Sequence, residues 1–234
     1  MSFTQPQPIL TLPDGRTIAL DDTTRERLLG GVVCLDGVDV HEEPAVWTET
    51  DTLADQLRAT HQGRLPSEIP GLKEARDLYK SFGMDPSRHR PSSEALLRRV
   101  LNDKGLYRLN NAVDCCNLAS LSYLLPIGMY DLTLVQGDIT LRTGGEGEEY
   151  PGIRKGPVHL HGRLGLFDQA GGFGSPTSDS ARTCVTDATT SILAVIMATG
   201  GYEPSLMLEN MAHFADLFTR HGGAHTTFTG ILGG

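Results

Sequence analysis

Asn110, Asp114 and Asn117 recur at i, i+4 and i+7 in a segment otherwise rich in Val113, Leu118, Leu121, Leu124 and Leu125. On an α-helix that spacing gathers two amides and a carboxylate into one stripe. Such a stripe faces water on an ordinary amphipathic helix; turned towards a pocket, it would orient a small ligand. His159 and His161 alternate as two metal ligands on one strand face would, but no third ligand accompanies them, so no metal site is expected. Gly171-Gly172-Phe173-Gly174-Ser175 carries neither the Lys-Ser/Thr ending of a phosphate loop nor the G-x-S-x-G nucleophile elbow, and reads as a mobile loop over a pocket. Cys115 and Cys116 sit inside the helical segment rather than at its start, where a helix dipole would activate a thiol. With no C-x-x-C pair in the chain, its four cysteines read as reduced thiols.

The elements that must position these residues follow from periodicity and turn chemistry. The apolar pattern predicts helices over about Trp47–Thr60, Leu72–Phe82, Ser92–Leu101 and Asn110–Leu125, the last ending before Pro126, and over Pro204–Arg220 ahead of Gly222-Gly223. Strands are expected at Ile139–Arg142, Val158–His161 and Gly165–Phe167, with a buried strand at Ser191–Thr199. Val32–Leu35 and Val38–Val40 flank Asp36-Gly37 as a hairpin would. The proline-bearing stretch from Gly63 to Pro70 suggests a boundary between an amino-terminal extension, residues 1–70, and a main domain, residues 71–234.

The chain has 234 residues, 39% of them hydrophobic and 21% charged, the composition of an ordinary globular protein rather than a disordered or coiled-coil one. Its longest strongly apolar run, Ile192–Ala198, is far shorter than the roughly 20 residues of a membrane-spanning helix. Met1–Pro6 lacks the features of a secretory signal, so a cytoplasmic location is expected. Net charge is −9, and the first seventy residues hold twelve acidic against five basic side chains. Arg88, Arg90, Arg98, Arg99, Lys104 and Arg108 then crowd a segment where only Glu94 and Asp103 oppose them. These arginines suit a solvated helix face, with Glu94 and Arg98 contributing about 0.2–0.5 kcal/mol as an i,i+4 pair, or equally a surface for phosphates.

Several short words occur in one order: Arg90-Pro91-Ser92-Ser93-Glu94-Ala95-Leu96, Leu109-Asn110-Asn111-Ala112-Val113-Asp114-Cys115-Cys116-Asn117, Leu125-Pro126-Ile127-Gly128-Met129-Tyr130-Asp131-Leu132, Gly137–Arg142 and Asp179-Ser180-Ala181-Arg182-Thr183. The three central words resemble the B3/B4 domain of the phenylalanyl-tRNA synthetase beta subunit, and the outer two resemble its free-standing relatives. The resemblance covers roughly residues 70–200. It implies a mixed α/β (α+β) fold with a layered β-sheet core flanked by helices, and a pocket that in the synthetase hydrolyses tyrosine wrongly attached to tRNA. Where the synthetase pattern has a histidine, a threonine and a glutamate, this chain has Gly128, Cys116 and Phe173, which points away from tyrosine-specific editing.

Hydrolysis of an aminoacyl ester needs only a well-placed water and no strong nucleophile. The resemblance therefore implies a stand-alone domain that binds aminoacyl-tRNA or its amino acid, an aromatic one included, and deacylates mischarged tRNA in trans, without a cofactor. In this reading Asp114 and Asn117 carry the catalysis; Asn110, Cys116, Gly128, Tyr130, Phe173 and Arg182 form the substrate pocket; and Arg90, Arg98 and Arg99 meet the nucleic acid. Asp114 and Arg182 suit a structural ion pair as well. The alternatives are a non-catalytic module binding RNA or an amino acid, and a surface for protein assembly. The activation motifs of a synthetase active site are not among these words.

Overall fold

A computed structural model describes residues 2–153 and 156–234. Along the chain come β1 (Ser2–Gln7), β2 (Ile9–Thr11), β3 (Thr17–Leu20) and β4 (Leu28–Asp36). Helices α1 (Pro44–His61), α2 (Leu72–Ser81), α3 (Ser92–Leu101) and α4 (Asn111–Tyr123) follow. Next are β5 (Ile127–Asp131), β6 (Ile139–Thr143), β7 (Glu149–Pro151), β8 (Pro157–His159), β9 (Leu164–Asp168), β10 (Gly171–Gly174) and β11 (Ser191–Thr199). Helix α5 (Pro204–Gly222) and β12 (His225–Leu232) complete the list. Among the described residues, no helix is long and apolar enough to cross a membrane.

The expected layered α/β architecture is present. One sheet runs β1-β12-β4-β11-β5 and a second runs β10-β9-β6-β3-β2, while β7 and β8 pair apart. β4 and β11 read as continuous apolar runs because both faces of their sheet are covered. Val33, Leu35, Ile192, Ala194 and Ile196 pack with α4 and α5 on one face, while Val32, Cys34, Leu193, Val195 and Met197 meet the second sheet on the other. Gly31 in β4 lets α5 come this close, since a Cβ there would stand 2.6 Å from the Met207 sulfur. A further apolar cluster, with Ala54, Leu72, Leu97, Val100 and Leu121, joins α1, α2, α3 and α4.

Two expectations need correction. Val38–Val40 do not return as a hairpin, because β4 already has β12 on one side and β11 on the other. The chain leaves the sheet at Gly37, and the Val38 and Asp39 amides donate to Thr190 and Gly222. Residues 1–70, expected as an amino-terminal extension packed on the main domain, supply the central strand β4 of the first sheet. Gly171–Gly174 is no loop over a pocket but strand β10, paired with β9 and holding Phe173 in the core. His159 ends β8 at the surface, 2.8 Å from Glu149, and His161 lies beyond the strand.

Candidate functional site

The start of α4 is fixed by two asparagines with different tasks. Asn110 is the N-cap, its side-chain oxygen accepting from the Val113 amide at 2.9 Å. Asn111 is buried, accepts from the His41 amide, and donates to the carbonyls of Asp39 and His221. These bonds tie the helix to α5 and to the segment after β4, so the next two turns are held at a defined angle.

Those turns form one wall of a cavity of about 660 Å³. From α4 it receives Val113, Cys116, Asn117 and Ser120, with the capping Asn110 at one end. Helix α3 adds Ser92 and Leu96, β5 adds Ile127 and Met129, and the segment after β10 adds Asp179, Cys184 and Val185. Leu109 and Ile153, both exposed, make an apolar lip. Ser120 is already spent on the Leu125 carbonyl, whereas the Asn117 side chain has no protein partner among the described residues.

The segment carrying Asp179 covers the open edge of β5. The Asp131 amide donates to the Thr183 carbonyl at 2.9 Å, and the Met129 amide stands beside the Asp179 carboxylate. Behind this edge lies Tyr130, fully buried, its ring edge-on to Phe173 at 4.9 Å. Its hydroxyl fills the space in which a side chain at Gly128 or at Gly174 would stand. That hydroxyl lies beside the Asp179 carboxylate but falls short of hydrogen-bond geometry, which leaves it buried without a partner. Withdrawal from water pushes the Asp179 carboxyl up to about 7, against the smaller opposing pull of Tyr130 and the Met129 amide. Burial likewise raises the Cys116 thiol, the negative potential of Asp179 adding to it, so Cys116 is a neutral, unreactive group at physiological pH.

Of the residues expected to form the site, Asn110, Cys116 and Asn117 meet in this cavity. Asp114 does not. It turns into a narrower cleft of about 90 Å³ with Trp47, Tyr107 and Arg108, and Asn117 lines both spaces. Its carboxylate accepts the Trp47 indole N–H at 2.7 Å and the Leu109 amide at 3.2 Å, while burial raises its pKa. The ion pair considered between Asp114 and Arg182 is absent. Arg182 instead grips Asp168 through two bonds of 2.8 and 2.9 Å and reaches the Leu134 carbonyl, outside the cavity lining. Gly128, Tyr130 and Phe173 stand behind the cavity in the core rather than on its surface.

The basic helix is committed inward. Glu94, fully buried, accepts from Arg76 at 2.7 Å and Arg98 at 2.9 Å, with Arg90 at 3.8 Å. Arg99 donates to the Gly105 and Lys104 carbonyls and lies over the Tyr107 ring at 4.2 Å. Asp179 is not among the expected site residues. It sits in an irregular segment with no period to betray its direction, and only its place in the word Asp179–Thr183 singles it out.

The B3/4 domain matches residues 74–202, more than half of the chain and a span that contains every wall of the cavity. The chain belongs to the B3/4 domain family. A crystal structure of an N-terminal fragment of the phenylalanyl-tRNA synthetase beta-subunit from Pyrococcus horikoshii is similar over 89% of this chain and 49% of that one, at 14% identity and a TM-score of 0.46. This B3/4 protein thus spans about half the length of that fragment. No curated protein matches it. In this B3/4 domain the sheet core extends past the matched span, because β4 and β12 lie outside residues 74–202.

Proposed function

We propose that this B3/4 protein binds aminoacyl-tRNA, or its amino acid, with the aminoacyl group in the 660 Å³ cavity, and hydrolyses mischarged aminoacyl-tRNA in trans. One observation carries the reading: four separate family-like words, those containing Ser92, Asn110, Ile127 and Asp179, converge on a single cavity. Its size lies within the roughly 300–1,000 Å³ of ordinary small-ligand sites. Leu96, Val113, Ile127 and Met129 offer an apolar wall to an amino-acid side chain, and the free amide of Asn117 faces the space where an ester carbonyl would lie. A water aligned by Asn117 attacks that carbonyl, and the ribose oxygen leaves with the proton that the water gives up; alignment alone accelerates such a step substantially.

The test is a panel of correctly charged and mischarged tRNAs incubated with the wild type and with Asn117→Ala. Ester loss above the spontaneous rate, reduced in the variant, is the expected result. A second reading, a binding module without catalysis, is favoured by the turn of Asp114 away from the cavity. It predicts tRNA or amino-acid binding with ester loss at the spontaneous rate throughout the panel.

A further inference from the structure

We infer that Asp179 anchors a free α-ammonium group, so that the cavity accepts amino acids and aminoacyl compounds and rejects their N-acylated forms. The inference rests on the cavity being the aminoacyl site. Among the described residues that line it, Asp179 carries the one carboxyl, and no Lys, Arg or His accompanies it. Its position is set by backbone: the residue pair Gly174 and Asp179 forms a bridge, and the Met129 amide lies beside the carboxylate at the edge of β5. Among the described lining residues, an ionised carboxylate in such a place has no counter-charge.

Two neighbours make the spot a receptor for a cation with several donors. The Tyr130 hydroxyl, wholly buried and unpartnered, is clamped beside Asp179 by Phe173 and by the two glycines that leave it room. It can donate to the carboxylate once a ligand holds that group ionised. The Asn117 amide, also unpartnered among the described residues, supplies a further acceptor to the same cavity. A primary ammonium brings three N–H donors and a positive charge to these acceptors. The raised affinity of Asp179 for a proton, which burial causes, is offset when that charge arrives. Acylation of the nitrogen removes the charge and two of the donors and sets a carbonyl oxygen in their place. A site built to satisfy a polar group discriminates strongly against an analogue that leaves it unpaired.

The experiment uses the full chain and the amides of phenylalanine, tyrosine, leucine and methionine beside their N-acetyl forms, none of which can turn over as an ester. Binding is measured by calorimetry at about pH 7, below the ordinary α-amino pKa of about 7.7–8.0. The expected result is at least one free amide bound roughly a hundredfold more tightly than its N-acetyl form, a ratio that collapses towards one in Asp179→Asn and shrinks severalfold in Tyr130→Phe. Melting curves and retained binding of the N-acetyl form show that the variants are folded. Equal binding of free and acetylated forms by the wild type, or a ratio that survives in Asp179→Asn, overturns the role of Asp179. If mischarged tRNA is still cleaved under either result, the reading of the cavity stands without it. If no amide binds and no tRNA is bound or cleaved, both fall together.

Discussion

Helix α3 and the cavity beside it hold polar groups of opposite standing. The arginines of α3 look free in the sequence, yet Arg98 is bound to the buried Glu94, and Arg99 is held by two carbonyls and an aromatic ring. In and behind the cavity, the Asn117 amide and the Tyr130 hydroxyl look ordinary in the sequence and have no protein partner among the described residues. Groups whose hydrogen bonds are already made hold the architecture; groups left unsatisfied in a sheltered space are those that a ligand completes. Density of charge along a chain is therefore a poor guide to where recognition occurs, and the balance of bonds already made is a better one.

The sharpest way to break this contrast is Glu94→Gln. Removing the one anion shared by Arg76, Arg90 and Arg98 should cost about 3 kcal/mol, the low end for a buried pair because the arginines are partly exposed. In a chain of this length that lowers the melting temperature by roughly 6–12 °C. An unchanged melt would show that α3 is not held from within. Next in size is Asp114→Asn, which disturbs the bonds from Trp47 and Leu109 and should cost about 2 kcal/mol in urea denaturation, with cavity binding per folded molecule unchanged. Turnover lost at full stability would return Asp114 to the chemistry.

A smaller effect distinguishes the two aspartates by pH. The folded-state pKa of Asp179 lies above its ordinary value of 3.8, so the stability linked to its protonation is complete below that value and is lost as pH rises towards about 7. Asp179→Asn removes this loss. Its stability should gain on the wild type by about 1–2 kcal/mol between about pH 4 and pH 8, less than the full shift implies because the residue is partly open to solvent. Parallel stability curves for the two proteins would remove the buried-carboxylate account. The smallest change is expected at the surface: Arg90→Ala should weaken tRNA binding a few-fold at low salt and reduce the salt slope by about one, whereas an equal slope in the variant would take Arg90 out of the interface.

Elements whose signal is local are legible in the sequence. The pattern Ser92–Leu101 is α3 residue for residue, and Ser191–Thr199 is β11, because helix periodicity and an unbroken apolar run need no knowledge of distant partners. A hairpin turning after Leu35 would have paired neighbours in sequence, but β4 takes both its partners from the far end of the chain, which no local pattern can signal. At the site, the stripe on α4 divides between two clefts for a geometric reason. At about 100° per residue, Asn117 lies about 20° from Asn110 on the side of Val113, Ser120 and Cys116, while Asp114 lies about 40° to the other side. The stripe straddles the border between two clefts, and only packing decides which cleft each residue meets. Asp179 is illegible because its direction is set by the edge of β5, a partner remote in sequence.

The place of β4 also dictates when this protein can become itself. Its largely apolar run is synthesised long before the strands that flank it, β11 and β12, which begin only at Ser191 and His225. Until both have left the ribosome, the middle of the sheet has no neighbours and its sticky backbone waits. Sheets closed by such long-range pairing fold slowly and are exposed to aggregation meanwhile. Assembly of the fold thus waits for β12 and is collective, and yield in expression should respond to chaperones and temperature more than to any change in the cavity.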